Sequence, residues 1–75
     1  MKQPNLLRLQ QRVSIVRGPW TGHTGVVIDR EPIVDAYRFY YRYLVRIEIS
    51  STHLRWEELL REDMTVAQRA VQAPR

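Results

Sequence analysis

The chain has 75 residues, enough for one domain with a modest core. It contains no cysteine, which excludes disulfides and thiolate zinc sites. Twelve Lys and Arg against eight Asp and Glu give a net charge of +4. That balance attracts polyanions and equally keeps a small protein in solution.

Residues 1–11 read as an N-terminal arm. Pro4 and Asn5 argue against early regular structure, and Leu6, Leu7 and Leu9 are placed to dock on a core. The opening MKQPNLLRLQQRVSIV has no long apolar run and no cleavage signature. No stretch reaches the roughly 18 apolar residues of a membrane span. The expectation is a cytoplasmic protein without a membrane partner.

From Arg12 the pattern alternates, with Val13 and Ile15 on one face and Arg12 and Ser14 on the other, which predicts a strand. GPWTGHTG follows, and Gly18, Gly22 and Gly25 are all the glycine in the chain. Pro19 presets a turn, while Gly22 and Gly25 supply backbone angles closed to other residues. VVIDR then reads as a second strand, forming a hairpin with a bulge at Gly25. EPIVDA is a second connection, where Pro32 ends or edges the strand.

YRFYYRYLVRIEI, residues 37–49, is the clearest strand. Its odd positions, from Tyr37 to Ile49, are all apolar or aromatic. Its even positions are Arg38, Tyr40, Arg42, Leu44, Arg46 and Glu48. A strand collects those charges on one face, and a helix would scatter them. Its length suggests that the early part projects as a ribbon. SSTHLRW reads as a turn and a short closing strand, and EELL as a helical turn. Thr65 and Gln68 have capping-box spacing, so 64–75 is expected to be a short helix or a frayed tail.

Several strands separated by turn signals every 8–12 residues predict an all-β small barrel. RVSIVRGPWTGHTGVVIDR resembles the KOW motif of NusG-type transcription factors and several ribosomal proteins. Val13, Ile15, Gly18, Gly25 and Val27 look like its signature positions. YLVRIEI and Leu59–Leu60 are similar to the closing segment of such domains. The resemblance covers roughly 12–60, with an insertion at 31–40. It implies an SH3-like five-stranded β-barrel over 12–60, followed by a tail or short helix over 61–75. The later strand and its E-L turn are also similar to SH3-like subunits that bind proteins within larger assemblies.

The chemistry of enzymes is missing from the pattern. GPWTGHTG matches neither a P-loop nor a dinucleotide fingerprint. His23 and His53 have no cysteine or H-E-x-x-H context, so neither a metal nor a cofactor is expected. Ser50, Thr52 and His53 are neighbours in an extended chain and do not make a nucleophile–base pair. The acidic run Glu57, Glu58, Glu62 and Asp63 reads as a solvated face.

The binding candidate is the even face of 37–49. Arg38, Tyr40, Arg42 and Arg46 alternate down one side, offering phosphate clamps and a stacking ring. Arg17, Trp20 and His23 in the glycine loop extend that patch, although Trp20 is equally suited to cover one end of the core. The expectation is a non-catalytic module that binds RNA or DNA, with a protein-interaction adaptor as the other reading. Tyr41 and Tyr43 are bulky for a tight barrel, so part of the aromatic face is expected to be an interface. A homodimer through the long aromatic strand is one form of it.

Overall fold

The computed structural model describes residues 6–67. Five antiparallel strands form one sheet in the order β4-β3-β2-β1-β5. They are β1 (Arg12–Ile15), β2 (Thr24–Val34), β3 (Phe39–Ser50), β4 (His53–Leu60) and β5 (Met64–Val66). A 3₁₀ turn, Arg61–Asp63, joins β4 to β5. The all-β, five-stranded expectation holds, and the sheet wraps a single core. The sheet stays open between its edge strands β4 and β5 rather than closing into a full barrel.

Alternation dictates the core. Val13 and Ile15 of β1, Val27 of β2, and Tyr43, Val45 and Ile47 of β3 bury one face, joined by Leu7 and Met64. Trp20, Tyr41, Ile49 and Leu59 pack against that cluster while keeping some exposure. Tyr43 is the largest fully buried side chain, so the expectation that it is too bulky for the core is corrected. Its ring fills the core, and its hydroxyl accepts the Leu7 N–H at 3.2 Å. The Leu7 carbonyl in turn accepts from Arg30 Nη1 at 2.6 Å. Both backbone groups of Leu7 are thus satisfied as its side chain docks, and the arm is sewn to the sheet. Leu9 stays exposed.

The glycines serve two different purposes. Gly18 and Gly22 take φ of +90° and +97°, which L side chains rarely adopt. Gly25 has an ordinary φ but no room: a Cβ there would lie 2.7 Å from the Arg46 carbonyl oxygen and 2.8 Å from Val45 Cγ1. The bulge predicted at Gly25 sits instead between Val27 and Asp29, where Val27 pairs with Val45 and Asp29 with Leu44. The skipped residue is Ile28. Glycine marks a close approach of strands here, and the ladder absorbs its extra residue one turn of the pleat later.

The bulge also divides β2. Before it, β2 pairs with β1 on one side and β3 on the other. After it, Asp29 to Val34 pair only with β3, and the two strands continue as a ribbon closed by 35–38. β2 runs straight through Pro32, correcting the reading of EPIVDA as a connection. Proline is tolerated because this half of β2 is an edge, where a missing N–H breaks no second ladder.

Two C-terminal expectations are also corrected. EELL is the end of β4, paired with β3 from Leu60–Arg42 to Glu57–Val45. Met64–Val66 is strand β5, paired with β1, so the sheet continues past residue 60 to Val66. Glu and Leu favour helix only weakly, and the half-buried seat of Leu59 and the buried seat of Met64 on the sheet outweigh that preference. The rest of the predicted helix or tail, 68–75, lies outside the described residues.

Candidate interaction surfaces

The predicted binding residues fall into two groups on opposite faces of the sheet. Register fixes the outer face, away from the core. Its rows are Thr24–Glu48–Leu54, Val26–Arg46–Trp56, Asp29–Leu44–Glu58, Glu31–Arg42–Leu60 and Ile33–Tyr40. Tyr40, Arg42 and Arg46 stand on this face. Arg38 belongs to the ribbon turn and lays its guanidinium over the Tyr40 ring, 4.3 Å from the centroid.

Trp20 and His23 are on the core side. The loop folds onto itself: Thr21 N–H and its Oγ1 both donate to the Gly18 carbonyl, at 3.2 and 2.7 Å. The His23 N–H donates to the Trp20 carbonyl at 3.1 Å, and the Gly22 N–H to the Ile15 carbonyl at 2.9 Å. Trp20 is thereby held over the end of the core, edge-on to His23 with centroids 6.0 Å apart. Arg55 of β4, which sequence reasoning passed over, places its guanidinium 5.0 Å from the Trp20 centroid. The pairing of Arg55 with buried Ile47 fixes that side of β4 and was not visible before the register was known.

The basic ladder is largely neutralised where it stands. Arg42 lies between Glu31, at 3.3 Å, and Glu58, at 3.5 Å. Arg12 pairs with Glu48 at 3.3 Å, while Arg38–Asp35 and Arg17–Glu62 are looser pairs at 4.0 Å. Leu44 interrupts the file between Arg42 and Arg46. Among the described residues Arg46 makes no ion pair, and its Nε is shielded without a hydrogen-bond partner. A cleft beside the ladder is lined by Asp29, Arg30, Glu31, Arg42, Leu44 and Glu58, a mixed rather than basic wall. A phosphate approaching Arg42 would have to displace two carboxylates.

The most exposed of the large apolar side chains are at the end of the ribbon. The core-side pairs there are Arg30–Tyr43, Pro32–Tyr41 and Val34–Phe39. Exposure climbs along these pairs, from 1 % at Tyr43 to 58 % at Phe39 and 75 % at Val34, and Tyr37 in the adjoining turn is 95 % exposed. Phe39 meets Tyr41 edge-on at 5.3 Å, and Arg30 caps Tyr41 at 5.7 Å. The turn is braced by Asp35, whose carboxylate accepts from the N–H groups of Tyr37, at 2.9 Å, and Arg38, at 3.0 Å. These hydrogen bonds, Tyr37 first, hold the Asp35 pKa below its ordinary value of 3.8.

No family model, curated protein or solved structure matches this chain. Among the described residues, no group of histidine and carboxylate side chains is arranged to hold a metal ion. No described helix is long and apolar enough to cross a membrane.

Proposed function

We propose that this chain is a non-catalytic binding module that engages a protein partner through the core-side face of the β2–β3 ribbon. One observation carries the reading. Val34 and Phe39 continue the core-side row out into solvent beyond β1, and Tyr37 in the adjoining turn is almost fully exposed. Exposed aromatic patches of this kind mark association surfaces, since burying them against a partner removes apolar area from water. The Asp35-braced turn presents the patch with little conformational freedom left to lose. The resemblance to KOW-type, SH3-like domains is in keeping with a small adaptor within a larger assembly.

A second reading, binding of RNA or DNA, rests on the other side of the same ribbon. There the stack of exposed Arg38 on half-buried Tyr40 offers a charge and a ring to a single strand. The paired state of Arg42 weighs against extending it into a phosphate track.

Two measurements separate the readings. A photo-crosslinking residue at position 37, installed in the organism of origin, is expected to give a protein adduct of discrete mass that Phe39→Asp abolishes. Amide shifts followed against RNA and DNA oligomers at two salt concentrations are expected to stay unsaturated. Saturable shifts over 38–46 that fade steeply with salt, with no protein adduct, would replace this reading by the nucleic-acid one.

A further inference from the structure

We infer that β4 is a self-complementary edge through which two copies of this chain pair, antiparallel and about Trp56. β3 is hydrogen-bonded on both sides from Arg42 to Glu48, so the long aromatic strand has no open side over that length. The outer part of β2 carries Pro32, which disrupts edge pairing. β5 is three residues long. β4 is eight residues, HLRWEELL, with neither proline, glycine nor lysine, and nothing among the described residues pairs its outer side. Residues 53–56 are all exposed, including Leu54 at 47 % and Trp56 at 53 %. Proteins ordinarily blunt such an edge or use it.

The sequence of β4 selects one register. A two-fold axis normal to the sheet keeps each face with its own kind, so paired residues share parity. With the axis at Trp56, Trp56 opposes Trp56 of the second copy on the outer face. On the core-side face Arg55 opposes Glu57 and Glu57 opposes Arg55. Arg55 Nε and the Glu57 carboxylate already form an ion pair within one chain. Pairing two copies would close the four groups into a ring of alternating sign, with cross-strand Cβ atoms about 4.5–5.5 Å apart. The outer face would contribute two exposed indoles meeting at the axis, a large apolar contact between rigid groups. Shifting the axis to Glu57 sets two like charges against each other, and shifting it to Arg55 does the same. Of these three alignments only the one about Trp56 sets unlike charges against each other. This seam is separate from the ribbon patch and stands whichever partner that patch takes.

The test is charge exchange on the full chain, read by sedimentation velocity over a concentration series, with circular dichroism confirming the fold of each variant. The wild type is expected to show a concentration-dependent monomer–dimer boundary. R55E places Glu against Glu across the axis, and E57R places Arg against Arg. Each alone is expected to weaken association roughly tenfold or more. An equimolar mixture of R55E with E57R restores both opposite-charge contacts and is expected to recover the dimer as a heterodimer, while R55E/E57R in one chain recovers it as a homodimer. A wild type that sediments as a monomer at every concentration overturns the inference. So does a dimer that both single variants leave intact, or one that neither the mixture nor the double variant restores.

Discussion

Gly25 shows how one absent methyl group sets the spacing of two strands. A Cβ there would overlap the Arg46 carbonyl oxygen and Val45, both held by the ladder and the core. Gly25→Ala is expected to cost about 1–3 kcal/mol, as overpacking of a fixed site does. Gly18→Ala meets no atom and only the φ penalty, so about 1 kcal/mol is expected. Urea denaturation of the two variants, compared at equal m-values, checks the order. Leu7 and Tyr43 make a second residue-scale prediction. Tyr43→Phe leaves the Leu7 N–H buried without its acceptor, at a cost of about 1–3 kcal/mol. Amide exchange at Leu7 is expected to accelerate in that variant by more than the global loss of stability accounts for. If Leu7 exchanges with the global rate in both proteins, the arm is not held by this hydroxyl.

At the scale of elements, the core strands were legible because period-two alternation is a direct consequence of the pleat. Val13, Ile15, Val45 and Ile47 needed only that rule to be assigned to the core. HLRW, the first half of β4, was legible as a short closing strand, but EELL and MTV were not, because they take their conformation from β3 and β1 lying alongside them. Local preference carries no record of such partners. The binding ladder was half legible: the even face of β3 is real, but its neutralisation by Glu31 and Glu58 comes from register across three strands. The separation of Trp20 from Arg42 likewise follows from which face the loop folds over, which spacing along the chain does not encode. The ribbon turn supplies a prediction at this scale. Asp35 has a folded pKa lowered from 3.8, so its bracing of the turn is complete above that value and is lost as pH falls through the lower folded value. The Tyr37 and Arg38 amide shifts are expected to titrate together with the Asp35 carboxyl, with a midpoint under 3.8. Asp35→Asn should abolish that common titration while leaving core resonances in place.

Across the whole molecule, the charges are disposed in exposed pairs over one apolar core. Such pairs contribute little individually, about 0–1 kcal/mol, and salt screens them. The denaturation midpoint is therefore expected to be nearly flat between roughly 0.05 and 1 M sodium chloride. A steep loss of stability with salt would show that the Glu31–Arg42–Glu58 network carries more of the fold than its exposure implies. The molecule as a whole also combines near and distant pairings. β2, β3 and β4 form a meander of sequence neighbours, whereas β1 is completed by β5, joining Val13 to Val66 and Ile15 to Met64.

That last pairing gives the protein a timetable during its own synthesis. The meander and β1 emerge from the ribosome able to assemble in order, each strand finding a neighbour already made. Val13 and Ile15 nevertheless keep one flank open until Met64 has been translated and released, because no earlier residue takes its seat. A chain cut short before residue 64 would leave Val13 and Ile15 with that flank wet, open to chaperones and proteases alike. Only when Met64–Val66 are free of the ribosome does β5 close the seam.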